Sequence, residues 1–445
     1  MNSIDQFEKM TKQPVEKLIC SLAVPTIISM LITTIYNTAD TYFAGKIGAN
    51  AIAAIGIAYS FMSVIQAFGF LYGHGSGNYV SKVLGKQNIK EAENMAGIGI
   101  VFSMCTGIII AILTFAFAQN ICIVLGANEM VKNDIVSYLQ MLSFGIPFIM
   151  CGLTLNNLFR FQGNALYGMI GIGFGGILNI ILDPIFMFGF QLGVKGAGVA
   201  TSLSQLISFL FLMYLNKKCS NVKLSMFNLK YYRKLIKLLY FGGSPNFARQ
   251  TIAAGAVMLL NNAAISYGES VVAAVTVVSR ITMLLGAAMI GFGQGFQPVC
   301  GYNYGAKLYN RVKRALYFCI IFSTVFFVIL TIICVIMTNK IISIFCSDKN
   351  IIVMGVSILR YQCISVPFMG WIIMSGMFLQ NIGKFKQAVI VSSARQGIFF
   401  IPLIIILPKI LGVYGIILVQ PIADIGTFLI SLPMVIKSVK YMNGV

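Results

Sequence analysis

Apolar runs long enough to cross a bilayer follow one another along almost the entire chain, separated only by short polar breaks. A helix of about 20 apolar residues spans about 30 Å of hydrocarbon. On that measure the pattern predicts twelve spans, at 18–43, 52–80, 95–118, 135–158, 165–190, 196–215, 239–266, 272–303, 315–337, 353–380, 387–408 and 412–436. No intervening stretch is left for a water-soluble domain. The fold class expected is an all-α polytopic membrane protein.

The runs also repeat. Sliding the chain against itself by 220 residues lays Pro25 on Pro245, Gly48 on Gly268, Gly73, Gly75 and Gly85 on Gly293, Gly295 and Gly305, and Pro147 and Gly163 on Pro367 and Gly383. After one residue of slippage, Gly193 and Gly196 meet Gly412 and Gly415. A register held across six spans predicts two six-helix lobes. Because six is even, both lobes enter the membrane in the same sense, so their pseudo-two-fold axis runs along the membrane normal. The organisation expected is a cytoplasmic segment 1–17, an N-lobe 18–215, a connector 216–238, a C-lobe 239–436 and a cytoplasmic tail 437–445.

Composition agrees with this picture: 58% of the 445 residues are hydrophobic and 10% are charged, with mean hydropathy +0.87. The formal charge of +20 is spread over short loops rather than gathered on one domain, which argues against a nucleic-acid partner. Placing both termini in the cytoplasm puts most lysines and arginines, Arg160 among them, on the inside and leaves only Lys46, Lys132, Lys195, Lys340, Lys349 and Lys409 outside. The connector, with Tyr231-Tyr232-Arg233-Lys234 and Lys237, has the pattern of an amphipathic helix on anionic lipid. The residues before Leu18 lack the apolar core of a signal peptide. Ten cysteines lie singly, with no metal spacing, and read as apolar fillers. A plasma-membrane location follows from these features.

The chemistry concentrates in few residues. Of twelve acids, only Asp40, Asp183 and Asp424 fall well inside predicted spans. A carboxylate at the centre of a membrane helix costs about 2.5 kcal/mol or more and is tolerated where it faces a bundle interior or a wet cavity. Asn179 stands four residues before Asp183, on the same helical face, and Tyr36 and Asn37 stand one turn before Asp40. Thr201, in Gly196-Ala197-Gly198-Val199-Ala200-Thr201, adds a further side-chain oxygen. Asp40 and Asp183 are therefore expected to face each other and hold a cation. Oxygen-only ligands suit a proton or a hard cation, so Na⁺ is the one metal in question, and no other cofactor is implied. The repeat-mates of these acids are Leu260 and Leu403, so the ion chemistry is kept in one lobe.

Pro25 to Asp40, Asn179-x-x-x-Asp183-Pro184, Gly193-x-x-Gly196-Ala197-Gly198-x-Ala200-Thr201 and the Gly-x-Gly elements ending spans two and eight together resemble the multidrug and toxic compound extrusion (MATE) family, and within it the MepA-like multidrug exporters, over essentially the whole chain. The resemblance implies that Tyr138 and Asn156 join the polar network of Asp40, Asp183, Asn179 and Thr201, and that Pro25 is the site where the first helix bends. A different branch of the family carries acids in spans seven and ten. Here those spans offer Arg249 and Arg360 instead, so a C-lobe Na⁺ site of that kind is not expected.

Arg249, Arg280, Arg360 and Arg395 accompany Asp424 in the C-half. Either one of them neutralises Asp424, or unpaired arginines line the cavity and attract an anionic group on the substrate. Gly73-His74-Gly75-Ser76-Gly77 lacks the lysine of a phosphate loop, and no nucleophile, base and metal constellation of an enzyme is present. The function expected is export of amphipathic, cationic compounds in exchange for H⁺ or Na⁺ by alternating access. The partners are small drug-like molecules and the bilayer, and the protein acts as a monomer. The alternative is a flippase for lipid-linked oligosaccharides.

Overall fold

The computed structural model describes residues 3–127, 129–224, 232–345 and 348–442. Twelve long helical segments run back and forth through it: α1 Val15–Ile47, α2 Ala49–Gly85, α3 Ile89–Ala116, α4 Glu129–Phe161, α5 Ala165–Pro184, α6 Gly193–Cys219, α7 Tyr232–Ile265, α8 Glu269–Gly305, α9 Tyr309–Phe345, α10 Lys349–Cys363 with Val366–Asn381, α11 Phe385–Ser393 with Phe400–Leu411, and α12 Val413–Tyr441. Ten are long and apolar enough to cross a membrane by composition alone, and α10 makes eleven if its two pieces, bent by 53°, count as one span. The twelfth, α7, has the length but carries Asn246, Arg249, Gln250, Asn261 and Asn262. Of these Asn246 is buried and Arg249, Gln250 and Asn261 are half-buried, and their polarity is why apolarity alone underrates the helix. The two-lobe, all-α architecture expected from the sequence is the one observed.

The internal repeat is visible in the backbone. Left-handed residues occur in register at Gly48 and Gly268, Gln87 and Lys307, Gly163 and Gly383, and, with the one-residue slip, Gly193 and Gly412. Each lies at a junction between helices, where the left-handed backbone lets the chain reverse within a few residues. Proline stays inside α1 and α4 without ending them, because neighbouring helices supply the packing that holds the segment together. Ser29 Oγ also donates to the Pro25 carbonyl, 2.9 Å away.

The lobes meet through repeat-exchanged pairs, α1 with α8 and α7 with α2. Glycines make the seam close: a Cβ on Gly295 would sit 2.6 Å from the Ala23 nitrogen, and its mate Gly75 lies against the Leu239 carbonyl in the same way. Seam hydrogen bonds include Thr26 Oγ1 to the Gly291 carbonyl, 2.8 Å, and Asn78 Nδ2 to Asn381 Oδ1, 2.8 Å. These contacts lie in the half of the bundle nearer the chain termini. Beyond them the lobes part. On α1 the stripe that packs at Ala23 and Ile27 continues as Leu31, Ile35 and Thr38, all exposed. On α8, Arg280, three turns above Gly291 on the same face, is exposed too.

An amino-terminal helix, Ser3–Lys12, lies across the closed end and touches both lobes. Gln6 Nε2 donates to the Gln162 carbonyl at 3.1 Å, and the Met10 carbonyl accepts from Asn303 Nδ2 at 3.0 Å. Two readings of the sequence change here. In the connector, residues 216–219 end α6 and 232–238 form the first turns of α7, with Leu235 buried, so these described parts are not a separate surface helix; 225–231 lie outside the described residues. Arg160 is not a loop charge either. It ends α4 with 2% exposure, donating to Asn157 Oδ1 at 2.6 Å and lying 3.4 Å from His74 Nε2. The negative end of α4's own dipole stabilises the cation there.

Candidate functional site

Helix α1 carries Tyr36 and Asp40 one turn apart, both buried, on the face turned to α5. Small residues allow that approach. Gly173 and Gly176 of α5 present no side chain to Ile32 and Tyr36, and a Cβ on Gly176 would come within 3.1 Å of Tyr36 Cδ1. Higher on α5, Asn179 and Asp183 face the same way, and Asn179 Nδ2 donates to Asp183 Oδ1 at 3.3 Å. Immediately after Asp183 the helix widens into a π turn over Ile185–Gly189, where Pro184 withholds a backbone donor. Single π turns recur at functional positions.

The third wall comes from α6. Its small-residue run lets it press against α4 so tightly that a Cβ on Gly198 would be 2.8 Å from the Tyr138 carbonyl oxygen. Thr201, one turn on, is thereby brought in, and Tyr138 lies within electrostatic reach of both carboxyl groups. The carboxyls of Asp40 and Asp183 are close enough to interact directly. Exposure is 7% at Asp40, 1% at Asn179, 0% at Asp183 and 2% at Thr201, so the cluster is sealed from bulk solvent.

Four oxygens in this cluster have no hydrogen-bond partner: Asp40 Oδ1, Asn179 Oδ1, Asp183 Oδ2 and Thr201 Oγ1. Each such buried atom costs about 1–3 kcal/mol if left unsatisfied. Their convergence from three helices forms an acceptor set that a proton or a bare hard cation satisfies. Nitrogen and sulfur ligands are absent from the set, which fits Na⁺ and does not fit a soft transition metal.

The other sequence candidates distribute unevenly. Asn37 is half-buried beside Asp40 on α1. Asn156 does not join the cluster: it stands eighteen residues from Tyr138 on α4, about 27 Å along the helix axis. Its amide lies instead against Gly168, where a Cβ would be 2.8 Å from Nδ2. Pro25 sits inside an unbroken α1, nearer the seam than the carboxylates.

In the C-lobe, Asp424 is paired. Arg395 Nε donates to Oδ1 at 2.8 Å, Gln420 Nε2 to the same oxygen at 2.7 Å, and Ser365 Oγ to Oδ2 at 3.0 Å. Three irregularities place these groups: a π turn over Ala394–Ile398 carries Arg395, the break in α10 carries Ser365, and α12 contains Pro421. Arg360 and Arg280 are exposed and take no part in this knot. Arg249 of α7 is half-buried and takes no part in the knot. The Ser365 and Gln420 contributions were not foreseen, since neutral residues in apolar runs carry no sequence signal. Gly73, Gly75 and Gly77 prove to be packing positions, against Asn157, Leu239 and Phe161.

Comparison with known proteins agrees with the repeat. The family model described as MatE matches residues 25–185 and again 245–406, the two matches starting 220 residues apart. Multidrug export protein MepA of Staphylococcus haemolyticus (strain JCSC1435) is 27% identical over 404 residues, covering 90% of this chain and 89% of that protein. Among solved structures, a MOP superfamily transporter from Pyrococcus furiosus, described as having a binding pocket of reverse polarity, superimposes with TM-score 0.91 at 23% identity over 98% of both chains. An outward-facing multidrug resistance MATE family transporter gives the same score, identity and coverage.

Proposed function

The chain belongs to the MatE (multidrug and toxic compound extrusion) family, and on that premise we propose that it is a secondary active exporter of amphipathic, cationic compounds, driven by inward H⁺ or Na⁺. The observation that carries this reading is the set of four unpartnered buried oxygens on Asp40, Asn179, Asp183 and Thr201. A cation entering that set offsets the repulsion between two facing carboxyls and draws α1, α5 and α6 together. Antiport follows when ion and drug each favour a different arrangement of the same helices. The lobes closed at the terminus-bearing end and parted at the other correspond to a cavity open to the outside, if the lysine- and arginine-rich loops are cytoplasmic. The driving force is about 2.3 kcal/mol per charge per 100 mV, plus the ion gradient. The protein is read as a plasma-membrane monomer taking small-molecule substrates, and no catalytic step is assigned to it.

The test is transport of a fluorescent cation into or out of proteoliposomes under an imposed pH or Na⁺ gradient. Wild type is expected to move the dye with one gradient. Asp40→Asn and Asp183→Asn are each expected to reduce coupled transport to background, with unchanged elution as a folded protein. Full gradient-driven transport in both variants overturns the site assignment. Movement of a lipid-linked sugar, with the dye indifferent to both gradients, turns the reading to a flippase.

A further inference from the structure

A cleft of about 650 Å³ opens where α1, α9 and α12 meet, at the end of the bundle that carries both termini. Glu16 of α1 and Lys313, Arg314, Tyr317 and Phe318 of α9 line it, and Val439 of α12 completes it. Arg314 Nε meets Glu16 Oε1 at 2.6 Å. A guanidinium carries four further N–H donors on its two Nη nitrogens, in a fork that matches two oxygens of a phosphate. Lys313, the preceding residue and half-buried, brings a second positive charge, so the lining holds two cations against one acid. Tyr317, one turn further along α9, is 53% exposed. Tyrosine collects at the depth where headgroups meet hydrocarbon. Beyond it the same helical face continues as Ile321, Val325, Val328 and Ile332, all exposed. From Tyr317 to Ile332 that stripe runs about 22 Å along the helix, more than the half-thickness of about 15 Å of a bilayer core.

A cationic cleft that runs into a lipid-facing stripe selects a ligand with an anion at one end and hydrocarbon at the other. We propose that the cleft binds the headgroup of an anionic phospholipid, with its phosphate on Arg314 and Lys313 and an acyl chain along Tyr317, Ile321 and Val325. Charge complementarity accounts for the headgroup, and the continuity of cleft and stripe identifies a lipid, since a free phosphate gains nothing from the apolar face. Glu16 is a competitor built into the site: it engages Arg314 and repels a phosphate, which sets the affinity below what the two cations alone would give. Because Glu16 belongs to α1 and the other lining residues to α9 and α12, the cleft is complete only while α1 touches α9. An occupant therefore favours the arrangement in which this end of the bundle is closed. The site is separate from the cation cluster and goes beyond the exporter reading.

The experiment titrates the purified full-length protein in detergent with phosphatidylglycerol, or with phosphatidylcholine of the same acyl chains, and counts bound lipid by native mass spectrometry. Wild type is expected to hold phosphatidylglycerol about tenfold more tightly. Lys313→Gln with Arg314→Gln is expected to remove that preference, weakening phosphatidylglycerol about tenfold and phosphatidylcholine by less than about twofold. Lys217→Gln with Lys218→Gln takes the same charge from the exposed end of α6 and is expected to change neither by more than about twofold. Glu16→Gln is expected to act in the opposite direction, tightening phosphatidylglycerol severalfold. Equal losses in the two double variants, or no loss in the first, overturns the site. Displacement of phosphatidylglycerol by an equal concentration of glycerol 3-phosphate overturns the lipid as its ligand. Thermal melts identify misfolding, and if the first double variant melts early, Glu16→Gln decides by the sign of its effect. Binding is read without a gradient, so absent transport by wild type, which would end the exporter reading, leaves this result unchanged.

Discussion

Asp40 and Asp424 show that a membrane carboxylate takes its role from what surrounds it. Asp424, with 1% exposure, has every nearby donor aimed at it, and Asp40 retains an oxygen with no partner. The first is a neutralised structural charge and the second a buried acceptor with an unmet hydrogen-bonding need. Removing Arg395 leaves Asp424 buried without its cation, a change that typically costs about 3–5 kcal/mol. Arg395→Met is therefore expected to lower the melting temperature in detergent sharply, and adding Asp424→Asn to recover most of the loss, since the amide oxygen still accepts from Gln420 while the amide nitrogen donates to Ser365 Oγ, whose own hydrogen turns to the Gln362 carbonyl. A single variant no less stable than wild type would show that the pair is not structural. The aspartates themselves were legible in the sequence, because a charge in an apolar run stands out. Ser365 and Gln420 were not, because a hydroxyl or an amide in such a run is common and its partner lies about sixty or four residues away, on a contact that only folding creates.

Helices bring the residues of the proposed cation site together by approaching one another, and glycine permits the approach. The α1–α5 contact turns on Gly173 and Gly176, with Ile32 and Tyr36 occupying the space a side chain would need. Gly176→Leu is expected to push α5 off α1, parting Asp40 from Asp183 and removing most coupled transport while helical content by circular dichroism stays unchanged. Gly255→Leu serves as the control, since nothing lies within 4 Å of a Cβ there, and it is expected to transport as wild type. Equal transport by both variants would remove the spacing argument. The helical periodicity announced which faces Asn179 and Asp183 share. The family resemblance, by contrast, placed Asn156 with Tyr138 in one network, which a separation of eighteen residues along α4 forbids.

Across the whole molecule the lobes are joined at one end only, and the amino-terminal helix spans that joint. Glu16 of α1 also accepts from Arg314 Nε of α9 at 2.6 Å, but Arg314 is 68% exposed, so the pair contributes only about 0–1 kcal/mol. The buried contacts of Gln6 and Met10 hold the joint more firmly. Deleting residues 3–12 is expected to loosen the seam, and Cys300, buried on α8 beside it, reports the change. Maleimide labelling of Cys300, read by mass spectrometry, is expected to rise severalfold in the deletion, while Cys20, already exposed, labels alike in both proteins. Unchanged labelling of Cys300 would mean that the helix does not secure the closed end.

The order of apolar runs by itself determined the number of long helices, their two-fold repetition and the lobe that carries Asp40 and Asp183, because crossing hydrocarbon imposes a length and a composition that any reader of the chain can count. Proximity was decided by the tertiary structure alone. Which arginine meets Asp424, which remains unpaired, where Arg160 hides and at which end the lobes close depend on the angles at which helices pack, and those angles follow from glycine contacts and π turns whose effect is felt across hundreds of residues of chain.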